Sequence, residues 1–339
     1  MHKIIEEDLM KIKEDLTEFK NKIEGKTFLV TGGAGFLGSW FCDVLITFEA
    51  NVHCLDNFSS GNVKNIEHLL SSKFFNLIKG DVCNFSTNER FDYIVHMASI
   101  ASPKLYQKHP LLTLDANVIG IRNMLELARK NDVKGFLFTS TSEVYGDSQT
   151  VPTPESYWGN VNPYGPRSCY DESKRCGEAY CFSYFQQYGV PIRISRIFNT
   201  YGPRIESGGY GRVVLKFIEQ ALSNKPFTVY GDGKQTRSFC YITDTTIGLF
   251  KLLLINGLNG EVVNIGNDKE IGIVDLANKI KEITNSNSQI IFEPLPKDDP
   301  RRRNPDLTKS RELLSYNPKI GLEAGLVRTI EWAESRFKK

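Results

Sequence analysis

Tyr170 and Lys174 stand four residues apart in Tyr170-Asp171-Glu172-Ser173-Lys174, a spacing that sets both side chains on one face of a helix. A free phenol ionises near pH 10. A neighbouring ammonium and a positively charged nicotinamide both favour its phenolate, so Tyr170 in such company accepts a hydroxyl proton as hydride leaves the same carbon. A second cluster begins at Thr31-Gly32-Gly33-Ala34-Gly35-Phe36-Leu37-Gly38. Here Gly32 permits a tight strand-to-helix turn, Gly35 lets backbone approach a pyrophosphate, and Gly38 lets the helix pack closely on a sheet. The unpaired N–H groups and the dipole at the start of that helix favour phosphate charge. Asp56 lies 18 residues after Gly38. Its carboxylate accepts hydrogen bonds from the ribose hydroxyls of an adenosine and repels a 2′-phosphate, which selects NAD over NADP. Asp81, in Gly80-Asp81-Val82, stands where an adenine contact forms.

The elements that position these residues are legible from apolar runs. Short runs at 27–30, 52–55, 75–78, 93–96, 136–139 and 192–197 alternate with helical segments. Such alternation predicts a parallel sheet covered by helices on both faces, a Rossmann-type doubly wound α/β fold. Asp56 and Asp81 fall at strand ends, and Ser140-Thr141-Ser142-Glu143-Val144-Tyr145-Gly146 leaves another. Beyond residue 198 the pattern turns irregular, with Tyr201-Gly202-Pro203, Gly208-Gly209 and Tyr230-Gly231-Asp232-Gly233. We read a smaller, interleaved C-terminal substrate lobe there, made of 199–236 and 265–339, beside a cofactor domain of 25–198 and 237–264. Residues 1–24 are expected to form an amphipathic helix of their own. Ile5, Leu9, Ile12, Leu16, Phe19 and Ile23 recur at spacings of four and three, a narrow seam that packs on the body or helps build an oligomer.

Composition narrows the class. The 339 residues suffice for a large buried core, and 40% hydrophobic with 24% charged residues is ordinary for a globular protein. Forty-two basic against 40 acidic residues leave a net charge of +2, which gives no general attraction to nucleic acid or an anionic membrane. No apolar stretch approaches the roughly 18 residues of a membrane helix, and the N-terminal residues lack the apolar centre of a signal peptide. The seven cysteines form no CxxC pair; buried thiols in a reducing cytoplasm are expected, with no metal site.

Together the glycine turn, the strand-end triplet and the YxxxK pair resemble the extended short-chain dehydrogenase/reductase family from about residue 26 onward. Within it the chain is most similar to the UDP-glucuronate decarboxylases. The segments carrying that similarity are 139–147 (TSTSEVYGD), 157–170 (YWGNVNPYGPRSCY), 196–204 (RIFNTYGPR), 211–214 (GRVV), 228–239 (TVYGDGKQTRSF) and 298–306 (DDPRRRNPD). The triplet discriminates between chemistries. Related 4,6-dehydratases carry Thr-Asp-Glu there, whose acid helps expel a hydroxyl; the decarboxylases carry Thr-Ser-Glu, as in Thr141-Ser142-Glu143.

The resemblance implies a cycle on one sugar nucleotide. Tyr170, assisted by Thr141 and Lys174, takes the C4 hydroxyl proton while NAD accepts hydride. The resulting 4-ketone lets carbon dioxide leave from C6, Glu143 and a water protonate C5, and hydride returns. Arg303 would aid the carboxylate or the enolate. The family pattern adds Phe36, Leu37, Asn57, Phe58, Val82, Ala98, Ser99, Asn117 and Thr200 to the cofactor contacts. It gives the substrate nucleotide Asn199, Arg212, Tyr230, Gln235 and Arg237. It also implies a homodimer built on the segments near 111–130 and 170–187. Asp115, where the decarboxylases carry lysine, and Ile100, where they carry proline, depart from the pattern and leave the sugar open. A 4-epimerase, a 4,6-dehydratase and a non-catalytic NAD-binding regulator are the rival readings.

Overall fold

The computed structural model describes residues 1–206 and 212–337; the Gly208-Gly209 turn and Gly211 lie outside them. The six apolar runs become strands β1 (Thr27–Thr31), β2 (Asn51–Asp56), β3 (Phe75–Lys79), β4 (Tyr93–His96), β5 (Gly135–Thr141) and β6 (Ile192–Ile197). The later strands are β7 (Thr200–Tyr201), β8 (Phe227–Tyr230), β9 (Thr236–Ser238), β10 (Cys240–Tyr241), β11 (Glu261–Ile265), β12 (Glu270–Gly272), β13 (Ile290–Glu293) and β14 (Arg302–Arg303). One seven-stranded sheet has the order β11-β6-β5-β4-β1-β2-β3, and all its pairings are parallel. Successive strand side chains point to opposite faces. Phe28, Val30, Val52 and Cys54 accordingly enter one apolar core, while Leu29, Leu55, Ile94 and Phe136 enter the other. Continuous burial along β5 reflects helices on both sides.

Strand order reverses direction between β1 and β4, so the crevice above their carboxyl ends is the place where an open α/β sheet takes a ligand. Both the glycine turn after β1 and the Thr141 triplet after β5 open there. The C-terminal part adds small sheets, β12-β9-β14, β10-β7 and β13-β8. β9 spans Thr236–Ser238, so the division expected between 236 and 237 falls inside a strand. Its pairing with β14 sets Arg303 opposite Arg237.

The N-terminal segment differs from a continuous helix over 1–24. Helix Lys3–Asp15 ends where Leu16 leaves helical geometry and Thr17 Oγ1 donates to the Lys13 carbonyl. A single turn at Thr17–Phe19 and a short helix Lys20–Ile23 follow. That break lets Phe19 and Ile23 join Ile5, Leu9, Ile12 and Leu16 in burial, which a straight helix would carry away from the curved body. Asp8, fully buried on the same face, accepts from Tyr241 Oη at 2.6 Å and pairs with Arg328 at 2.8 Å. The apolar seam is therefore spent within the chain.

Candidate active site

A cavity of about 590 Å³ opens over the sheet reversal. It is lined by Gly32, Gly35, Phe36, Leu37, Gly38, Asp56, Asn57, Asp81, Val82, Ala98, Ser99 and Thr200 from the cofactor set. Thr141, Ser142, Glu143, Tyr170, Lys174 and Arg303 line it too, as do Asn199, Arg212, Tyr230, Gln235 and Arg237. Residues more than 260 positions apart in sequence thus share one space.

Two of the expected residues stand outside that lining. Asn117 is fully buried, and its Nδ2 donates to Ser173 Oγ at 2.9 Å; it braces the helix Ser168–Tyr188 from behind. Phe58 turns its ring to the core and offers its backbone N–H to Asp56 Oδ1 at 2.8 Å. Asp115 lies at the exposed rim of the cavity near Cys83. Ile100 packs with Tyr106, Cys169 and Tyr170, so it supports the Tyr170 phenol.

The cofactor end is a backbone cradle. Gly32 has φ +70°, and a Cβ there would meet Ala98 Cα at 2.8 Å; a Cβ on Gly38 would meet the Gly32 carbonyl at 2.2 Å. Only bare backbone fits such a turn. Asp56 Oδ2 accepts the Ala34 N–H at 2.9 Å while Oδ1 takes that of Phe58, which fixes the carboxylate at the cavity wall. Burial raises the Asp56 pKa, and those two backbone bonds oppose the rise. Asp81 is tied to Asn57 Nδ2 and to the Cys83 N–H. A buried oxygen in this lining, Ser99 Oγ, has no partner among the described residues. The bare turn, the fixed carboxylate and the free helix start fit a dinucleotide.

At the reaction end, Tyr170 is buried, stacks on Tyr106 at 5.1 Å and hydrogen-bonds Thr141. Burial pushes its phenol above the ordinary range, and the Thr141 bond only partly offsets this. The phenolate favoured on sequence grounds is therefore not the resting state of the ligand-free chain. Lys174 Nζ donates to the Thr139 carbonyl at 2.8 Å and lies 6.0 Å from the centre of the Tyr170 ring. Burial pulls this amine down to about 7, and the nearby Cys181 and Glu178 only partly offset the pull.

Beside them sits a cluster of arginines and carboxylates. Glu143 Oε2 accepts from Arg167 and, at 2.7 Å, from Arg303 Nη2. Burial alone would raise this carboxyl, but Arg167, Arg303 and Arg237 hold it well below its usual range. Glu143 therefore rests as an ionised acceptor, so a proton that Glu143 and a water pass to C5 has to reach them from another group. Arg237 bonds Asp299 at 2.9 Å and the Pro300 carbonyl at 2.7 Å, and Arg167 Nη1 lies 3.7 Å from Asp299. Arg167 and Asp299 also line this cavity, and sequence reasoning passed over both. The i, i+4 pair of Arg167 with Asp171 just before the helix offered a local signal for the first. Nothing local marks Tyr106, 64 residues before the ring it stacks on.

Arg212 immediately precedes helix Val213–Leu222; it donates to the Glu206 carbonyl at 2.8 Å, and burial lowers its pKa. Gln235 Nε2 donates to the Tyr230 carbonyl at 2.8 Å, which fixes the loop of the nucleotide end. Diphosphate recognition by guanidiniums and a helix start is the chemistry such a wall supports.

Residues 28–266 match the model of the NAD dependent epimerase/dehydratase family. The chain belongs to that family, and NAD is its cofactor. Among curated relatives it is 45% identical over 315 residues to UDP-glucuronic acid decarboxylase 1 of Xenopus tropicalis, covering 93% of this chain and 74% of that one. It is 47% identical over 299 residues to UDP-glucuronic acid decarboxylase 5 of Arabidopsis thaliana, covering 88% and 86%. A solved structure of UDP-glucuronic acid 4-epimerase from Bacillus cereus, with UDP-glucuronic acid and NAD, superposes with TM-score 0.82 at 28% identity, covering 91% and 99%.

Proposed function

We propose that the protein converts UDP-glucuronate to UDP-xylose and carbon dioxide, with NAD regenerated in each cycle. The observation that carries this reading is Ser142. A hydroxyl stands where expelling water from C6 needs a carboxylic acid, while Arg303 in the same cavity supplies a cation for a carboxylate or an enolate. The two curated relatives at 45% and 47% identity, both decarboxylases by name, support the same reaction.

When bound, NAD accepts the C4 hydride and later returns it. Tyr170, bonded to Thr141, takes the C4 hydroxyl proton, and the Lys174 ammonium lowers the cost of the phenolate that forms. A ketone at C4 lies β to the C6 carboxylate, so carbon dioxide leaves as its bonding electrons enter a C4–C5 enolate. Arg303 neutralises that charge. After C5 gains a proton, Tyr170 gives its own proton back to the C4 oxygen. Asp56 and the glycine turn hold the cofactor, and Arg212 and Arg237 balance the diphosphate of the substrate.

We further propose a homodimer in a cytoplasmic setting. Leu111, Leu112 and Ile119, with Phe182 on helix Ser168–Tyr188, are exposed large apolar side chains on neighbouring helices, a patch of the kind that marks an interface. The seven free thiols agree with a reducing compartment. No helix among the described residues is long and apolar enough to cross a membrane.

Incubation with UDP-glucuronate and NAD, followed by mass spectrometry and proton NMR, tests the reaction. UDP-xylose is expected; a product of unchanged mass indicates 4-epimerisation, and turnover of a UDP-hexose alone overturns the reading.

A further inference from the structure

Behind the catalytic cavity lies a second one of about 340 Å³. Glu143, Arg167 and Asp299 line both, so they form a common wall. Asp171 lines only the smaller space. It follows Tyr170 in the same helix, and a step of one residue turns its side chain about 100° away. Tyr170 therefore faces the substrate while Asp171 faces the rear chamber. Asp171 is 5% exposed; Oδ2 lies 3.7 Å from Arg167 Nε, and Oδ1 is buried with no hydrogen-bond partner among the described residues. On the outer side the chamber is bounded by Asn160, Asn162 and Asp298, all exposed, so it reaches solvent.

The decarboxylation proposed above, on which this inference rests, consumes one proton per turnover. The carboxylate departs as neutral carbon dioxide, and the electron pair left in the enolate must capture a proton at C5. Tyr170 cannot supply it, because its proton comes from the C4 hydroxyl and returns there. Glu143 is held ionised by two guanidiniums and has none to spare. The front mouth is filled by substrate and cofactor while the chemistry runs. We propose that Asp171 is the proton reservoir for C5, passing its proton across the Glu143 wall and recharged by water in the rear chamber.

The balance is simple. The Asp171 O–H bond breaks, Glu143 accepts the proton through a bridging water, and Glu143 gives it up as the C5–H bond forms. A solvent hydronium or buffer acid then restores Asp171. The charged surroundings suit a carboxyl that holds its proton near neutrality. Burial and the Glu143 carboxylate raise its pKa, Arg167 and Arg303 oppose them, and Glu172 adds to the rise. Asp147, Asp298 and Asp299 bring further negative charge round the chamber.

The test uses the NAD-loaded enzyme and separates proton delivery from hydride transfer. UDP-xylose in deuterium oxide is oxidised at C4 and exchanges its C5 hydrogen by the reverse of the same step. In Asp171→Asn, deuterium incorporation at C5, read by NMR, should fall by about 10²-fold or more, while reduced-nicotinamide absorbance forms at the wild-type rate. Val161→Phe, which narrows the rear chamber from another part of its lining, should slow the same exchange and spare the absorbance change. Wild-type exchange in Asp171→Asn overturns the relay. An equal loss of both signals also overturns it, because that marks a structural role. If the wild-type enzyme releases no carbon dioxide from UDP-glucuronate, the decarboxylase reading has failed instead, and the relay falls with it.

Discussion

Lys174→Met should make the protein more stable and less active at once. Burial lowers the Lys174 pKa from its ordinary 10.5 to about 7. At about 1.4 kcal/mol for each tenfold change, holding the ammonium in the core costs up to about 5 kcal/mol at or below neutral pH. The bond to the Thr139 carbonyl returns part of this, about 1.5–3 kcal/mol for a charged donor. Methionine fills the same space without the charge, so a net gain of about 2 kcal/mol is expected, or about 2–4 °C in melting temperature. The sign of the pH dependence follows. Between pH 7 and 10.5 the unfolded chain binds the lysine proton and the native chain does not, so wild-type stability rises with pH across that window. The advantage of the variant is largest below pH 7 and fades toward pH 10. Calorimetry of the nucleotide-free protein from pH 6 to 9.5 measures this, and turnover should fall by about 10²–10⁴-fold. A variant less stable than wild type at every pH would refute the reasoning, because Lys174 would then be a net structural support.

Tyr170→Phe removes the proton acceptor bonded to Thr141; turnover should fall by about 10²–10⁴-fold, with NAD affinity, read by fluorescence titration, unchanged. Asp56→Ala should weaken NAD binding by about 10–100-fold, the value of about 1.5–3 kcal/mol for charged hydrogen bonds. NADP should lose much less, and equal losses for the two would contradict the ribose role. Asp8→Ala leaves Arg328 with Glu7 alone of its two carboxylates and takes the acceptor from the buried Tyr241 hydroxyl. It should cost about 3 kcal/mol in urea unfolding while the initial rate of the folded enzyme stays at the wild-type level.

Much of this protein is legible in its sequence. Strands β1 to β6 follow from apolar runs bounded by turn residues, because a parallel strand buried on both faces must be apolar throughout. The glycine turn and Asp56 were readable because the contacts there are between backbone and near neighbours in sequence. What escaped depends on distant pairings. That Glu143 rests ionised becomes visible only when Arg303, 160 residues away, is seen bonded to it. Asn117 belongs to a cofactor pattern by position, yet its amide serves Ser173 across a helix interface. The bend at Leu16 was hidden because a seam with spacings of three and four looks the same whether or not the helix continues past it. In the sequence Asp171 reads only as part of a motif; its role depends on a chamber whose far wall comes from residues 295–300.

The most direct test follows the C6 carbon itself. UDP-glucuronate labelled at C6 is given to the NAD-loaded enzyme, and labelled carbon dioxide is counted against UDP-pentose formed. Equal amounts of the two, with no net accumulation of reduced nicotinamide, are predicted. Label retained in a UDP-hexuronate product would contradict decarboxylation and assign the site to 4-epimerisation.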